Sequence, residues 1–215
     1  MRITTISSLW LVLVATGLAA LLGQDIAYRH IEKPGYSVFE DGITPRARVR
    51  ANYYAAKGED PWATSPGQIS IEYGQPAWKE EYNALLEKLP AGRRWRLGSN
   101  FWTNLYSSFP FEVEGRRVEA GYYFLVLERS SAEEWQLVAL RPEEVTRLKL
   151  DPWHVNRKDS GKGVPIPLQW EKGGSMADTL LIELKLEDED PKKMKVHISF
   201  GAHRFTSSFL QVLFE

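Results

Sequence analysis

Cysteine is missing from all 215 residues. Its absence excludes disulfides, thiolate metal sites, a thiol nucleophile and an acylated N-terminal cysteine together. An excess of either charge is missing too: 27 Lys and Arg face 28 Asp and Glu, a formal net charge of −1. There is no global basic field to displace counterions, so nucleic acid is not an expected partner. The chain has no H-E-x-x-H, no G-x-S-x-G and no G-x-x-x-x-G-K. A metalloprotease helix, a nucleophile elbow and a phosphate loop are therefore all wanting, and no cofactor is expected. Apolar residues make up 43% of the chain, too many for intrinsic disorder.

The N-terminus is the first positive signal. Arg2 precedes an apolar run, Ile6 to Leu22, interrupted only by Ser7, Ser8, Thr16 and Gly17. That layout is a secretory signal peptide, with cleavage expected after Ala19 or Gly23 and an extracytoplasmic destination, periplasmic or secreted. The alternative is an uncleaved anchor, the one route by which the chain would meet a membrane. At about 17 residues the run is at the lower limit for crossing a hydrocarbon core of ~30 Å.

Residues 24–67 hold Pro34, Pro45, Pro61 and Pro66 without a sustained hydrophobic period, and read as an extended arm. Within it Arg46, Arg48 and Arg50 alternate with Ala47 and Val49, an extended segment with one basic face. A solvated edge strand is the favoured reading over an anion site.

From 68 to 215 the chain reads as one β domain. Ile69, Ile71 and Tyr73 alternate with Ser70 and Glu72 as a half-buried strand. Trp78, Tyr82, Leu85, Leu86 and Leu89 form one helical stripe, ended by Pro90 and Gly92. Phe111–Val113 should pair with Arg116–Val118 across a Glu114-Gly115 turn, setting Glu112 opposite Arg117. Tyr122 to Leu127 is apolar on both faces, as a central strand is. Trp135–Leu140 returns the chain, and Arg141–Gly163 reads as irregular. Val164–Trp170, with Pro165 and Pro167, reads as an edge strand. Alternation resumes in Leu180–Leu186 and Met194–Phe200, and Arg204–Phe214 is the last strand. The expected fold is all-β with one helix, an antiparallel β-sandwich or open barrel of about eight or nine strands.

Four elements carry a family likeness. They are Ser65-Pro66 with the Ile69–Tyr73 strand and Pro76, then Trp95-Arg96-Leu97-Gly98-Ser99-Asn100 with Thr103, then Val113-Glu114-Gly115-Arg116-Arg117-Val118 with Ala120-Gly121-Tyr122, and last Trp135. In this order they resemble the bacterial proteins grouped as domain of unknown function 2911, over roughly Ser65 to Leu140. The second element matches that family's W-R-x-G-x-N-x-x-T. The helix departs from the commoner family form, in which a Gly-rich loop stands there. The resemblance implies an exported protein with a β-sandwich-like fold; it implies no reaction and carries over no catalytic residue.

For ligand chemistry the densest stretch is Trp95–Phe111. Arg96, Asn100, Trp102 and Tyr106 are the candidate ligand-binding residues: aromatic faces beside a guanidinium fork and an amide. The competing reading has Arg96 and Asn100 tying down a corner with Trp95 in the core. His197 and His203 fail as a metal pair, because a Gly201-Ala202 hairpin turn would send them to opposite faces. Glu187–Asp190 lacks calcium-loop spacing and reads as a solvated hairpin loop. The functional expectation is a non-catalytic binding or interaction module of the cell envelope, its partner a glycan or an envelope protein. The alternatives are an envelope glycan hydrolase using a carboxylate pair, and a purely structural envelope protein.

Overall fold

The computed structural model describes residues 29–33, 36–40, 45–54, 67–155 and 160–213. The leader and its cleavage sites lie outside the described residues. The chain divides into two units, 1–44 and 45–215. In the first, β1 (Arg29–Lys33) and β2 (Tyr36–Glu40) form an antiparallel pair, with Arg29 opposite Glu40 and Lys33 opposite Tyr36.

The second unit begins at β3 (Arg46–Tyr53), so part of the expected arm is a strand of the main domain. β4 (Gly67–Gly74), α1 (Glu81–Lys88), β5 (Arg93–Arg96) and β6 (Thr103–Ser107) follow. Next come β7 (Phe111–Val113), β8 (Arg116–Val118), β9 (Gly121–Arg129), β10 (Trp135–Leu140) and α2 (Pro142–Leu148). The last strands are β11 (Val164–Leu186), β12 (Lys193–Ser207) and β13 (Leu210–Val212). Eleven strands make one antiparallel sheet in the order β3-β4-β6-β9-β10-β11-β12-β13-β7-β8, with β5 also on β9. The count exceeds the eight or nine expected: β3 falls within the expected arm, the four-residue β5 shows no period of its own, and β13 is a separate three-residue strand within the expected Arg204–Phe214.

The sheet folds over on its apolar face. Ile69, Ile71, Leu105, Leu125 and Leu127 from one half bury against Phe111, Ile182, Val196, Ile198, Phe200 and Phe205 from the other. Closure comes just after β4. Ala77 bridges Thr179, Trp78 N donates to Asp178 O at 2.7 Å, and Leu180 N donates to Pro76 O at 3.1 Å. The buried Tyr73 hydroxyl accepts from Ile182 N at 2.9 Å. Helix α1 lays Leu86 into this core with Tyr82 and Leu85 beside it, as the stripe predicts, but it starts at Glu81, leaving Trp78 in the segment that bridges to β11. The Phe111–Val118 hairpin has the expected register, Glu112 opposite Arg117, with Glu114 and Gly115 both at positive φ in its turn.

Three expectations need correction. First, there are two helices among the described residues. Arg141–Leu148 contains α2, with Pro142 in its first turn and Glu143 and Glu144 suiting the helix dipole. At seven residues it is too short to reveal a period. With residues 149–155 it covers the outer face of β9 and β10, burying Val126, Val138 and Leu140 under Val145, Leu150 and Val155.

Second, Pro165 and Pro167 sit in a strand flanked by β10 and β12. They pair only with β10, opposite Val138 and Gln136, and β12 reaches no further than Leu168. The prolines stand where the strand is an edge locally, which is what a missing N–H requires.

Third, Gly201-Ala202 is not a turn. β12 runs through it, and Gly201, at φ +58, switches the buried parity from Met194, Val196, Ile198 and Phe200 to His203 and Phe205. The β11–β12 hairpin turns instead at the acidic loop 187–192, the solvated loop expected of that run. His197 and His203 still face opposite ways, through a parity switch and not through a turn. Glycine is needed at 201, since a Cβ there would stand 2.4 Å from the Trp78 indole.

Candidate ligand-binding face

The W-R-x-G-x-N-x-x-T element forms the corner between β5 and β6. Trp95 stacks on Phe200, with centroids 5.9 Å apart, and packs against the core. Gly98, at φ +99, crosses the end of β4, where a Cβ would stand 2.9 Å from the Gly74 carbonyl oxygen. Asn100 takes the left-handed conformation at φ 63 and is 2% exposed. Arg96 Nη1 donates to the Asn100 carbonyl at 3.2 Å, and its guanidinium lies 5.4 Å from the Trp153 ring centroid. The Thr103 hydroxyl donates to the Leu97 carbonyl. Two of the four predicted ligand residues, Arg96 and Asn100, are thus engaged in holding this corner.

The other two, Trp102 and Tyr106, reach the outer face of the sheet. Residues opposite one another on paired strands share a face. β3, β4, β6 and β9 therefore present rows across their outer side. One row is Arg50, Ser70, Tyr106 and Tyr122; the next is Arg48, Glu72, Asn104 and Phe124. Trp102 packs on Phe124, 5.0 Å between centroids, at the margin of the part that α2 covers. Beyond that margin no described element covers the face. Arg48, Gln68, Ser70, Glu72, Asn104, Tyr106 and Tyr122 line a cleft of about 100 Å³ there. Tyr106 and Tyr122 are paired at 4.7 Å with their rings tilted by 38°, and Tyr122 is 62% exposed.

The charges of this face are arranged around Glu72. Arg46 Nε donates to Glu72 Oε1 at 3.0 Å and Arg48 Nη2 to Oε2 at 2.5 Å. Arg46 Nη2 also donates to the Trp102 carbonyl at 3.1 Å, tying the edge strand to the corner. The Arg48 hydrogen bond, foremost, and then that of Arg46 hold the Glu72 carboxyl below the usual range, against the effect of its burial. It is ionised at neutral pH and poorly suited to giving a proton away. Glu72 is the one carboxylate among the lining residues, whereas glycoside hydrolysis by an acid and base pair needs two. Asn104 Oδ1 is buried in the cleft with no hydrogen-bond partner among the described residues. A buried acceptor in this state calls for a donor from water or from a bound molecule.

His203 is used elsewhere. Wholly buried, its Nδ1 accepts from the Trp170 indole N–H at 3.3 Å, so Nε2 carries the proton and donates to Asn83 Oδ1 at 2.9 Å. Burial, the largest cause, pushes its pKa down. The neutral imidazole anchors α1 to β12.

Sequence reasoning found Tyr106 of the cleft residues and missed Arg48, Gln68, Ser70, Glu72, Asn104 and Tyr122 as a set. The signal for Arg48 and Glu72 was present as two alternating strands, but only the β3–β4 register brings them together.

The family model described as protein of unknown function (DUF2911) matches residues 62–208, and the chain belongs to that family. The match extends the resemblance from Leu140 through β11 and β12 and takes in α1. Neither a curated protein nor a solved structure matches the chain.

Proposed function

We propose that the protein is a non-catalytic binding module, exported to the bacterial cell envelope, which holds a polar ligand on the open outer face of β3, β4, β6 and β9. One observation carries the reading: Tyr122, exposed and paired with the half-buried Tyr106, stands beside a cleft containing the unpartnered Asn104 acceptor. An aromatic platform next to side-chain amides and hydroxyls suits a ligand with both flat apolar faces and hydroxyl groups, such as a sugar. The lone, ion-paired Glu72 favours binding over hydrolysis. Export rests on the leader, Arg2 followed by Ile6 to Leu22.

The test is a glycan array probed with the full chain, its Tyr122→Ala variant and its Arg96→Lys variant. Tyr122→Ala should abolish the retained signals. Arg96→Lys should keep them at temperatures where it stays folded. Turnover of any retained polysaccharide would refute the non-catalytic reading, and an array without signal would refute the binding reading.

A further inference from the structure

The ligand class is narrowed by the charges of the same face, an inference that rests on the binding reading above. Three guanidinium groups, from Arg46, Arg48 and Arg50, share the face with one carboxylate, Glu72. The remaining residues of its rows, Asn52, Gln68, Ser70, Asn104, Tyr106, Tyr122 and Phe124, are uncharged. Glu72 occupies Arg46 and Arg48, and its two oxygens are divided between them. Arg50 is exposed and has no ion pair or hydrogen bond among the described residues. Its cross-strand partner is Ser70, followed in the row by Tyr106 and Tyr122. Guanidinium, hydroxyl and aromatic platform thus lie in line across three adjacent strand spacings of ~4.8 Å each. The row is therefore about 14 Å long, more than a single sugar ring covers.

We infer that this face binds an acidic glycan, a sugar chain bearing carboxylates, with a ring stacked on Tyr122, hydroxyls directed to Asn104 and Ser70, and a carboxylate on Arg50. A neutral sugar would use the platform and the amide but leave Arg50 idle. A short chain of uronates uses all three, and the planar fork of arginine suits a carboxylate better than a lysine would. Arg48 and Arg46 add a like-signed field, while Glu72 keeps their side chains in place.

The test is isothermal titration of the full chain with oligomers of α-1,4-linked galacturonic acid and with maltooligosaccharides of matched length as the neutral probe. The galacturonate series should bind about tenfold more tightly at low salt, with the margin shrinking in 0.5 M NaCl as screening grows. Arg50→Gln should weaken galacturonate about three- to tenfold and the neutral series less than twofold. Tyr122→Ala should weaken both. Equal affinity for the two series, with Tyr122 still required, would overturn the acidic ligand and leave the binding reading standing. A galacturonate preference that survives Arg50→Gln would also overturn it, by locating the anion elsewhere. Binding of neither series would overturn both.

Discussion

Replacing Gly201 with alanine tests whether the parity switch in β12 rests on this residue. The added Cβ would meet Trp78 Cε2 at 2.4 Å and Cδ2 at 2.5 Å, so the indole must retreat by roughly 1 Å to restore ordinary contact. It has little room. Its ring is packed by Phe200 at 4.9 Å, His203 at 5.8 Å and Tyr82 at 5.9 Å. Overpacking of this kind costs about 1–3 kcal/mol. A non-glycine residue at φ +58 adds about 1–2 kcal/mol of backbone strain. Together these predict a loss of about 2–5 kcal/mol, a Tm lowered by roughly 4–20 °C for a domain of this size. Thermal unfolding followed by circular dichroism, on the wild type, Gly201→Ala, Trp78→Leu and the double variant, separates the two contributions. With the indole gone, Gly201→Ala should cost only its strain, so the double variant should be at least 1 kcal/mol more stable than the sum of the singles implies. A Tm unchanged by Gly201→Ala, or strict additivity in the cycle, would refute the reasoning.

Arg96→Lys keeps the charge but loses the fork that spans the Asn100 carbonyl and the Trp153 ring; equilibrium denaturation should show a loss of about 1–3 kcal/mol. Tyr73→Phe leaves the buried Ile182 N–H without its acceptor, and the same measurement should again register about 1–3 kcal/mol. For His203 the folded pKa is depressed, so its neutral form contributes fully above the unfolded value of about 6.5, and that contribution is lost as the pH falls below it. Stability should therefore decline from pH 7 to pH 5 more steeply in the wild type than in His203→Gln; equal slopes in a pH series of melts would count against the buried, neutral assignment.

Strand identity was legible wherever a face alternates against water. Ile69–Tyr73, the Phe111–Val118 hairpin and the doubly apolar Tyr122–Leu127 all declared themselves, because burial on one or both faces dictates their patterns. Helix α1 was legible for the same reason, through the stripe of Trp78, Tyr82, Leu85, Leu86 and Leu89, although Trp78 precedes the helix. Helix α2 was not, since two turns give too few positions to separate a period from chance. Around Gly201 the pattern misled: glycine next to alanine between two apolar alternations looks like a hairpin, and only the packing of Trp78 explains a straight strand with a change of face. The candidate site was legible in part. Arg96 and Asn100 announced a corner, and the corner uses them. The cleft depends on register between strands, β3 with β4 and β4 with β6, and register is a long-range property that no local run of residues displays.

The closure of the sheet after β4 sets a clock on biosynthesis. Tyr73 and Ile182 are 109 positions apart in the chain, and Ala77 must likewise wait for Thr179. At about 5–20 residues per second of translation, some 5–20 s elapse between delivery of the two halves of that contact. During this interval the apolar sides of β4, β6 and β9 lack the β11 and β12 part of their opposing layer, and those contacts span too much chain for fast local folding to shelter them. The nascent polypeptide should therefore stay open until β11 and β12 have left the ribosome. It should depend on holding chaperones during this time, and late truncations, even beyond residue 180, should yield aggregates and not a smaller folded core.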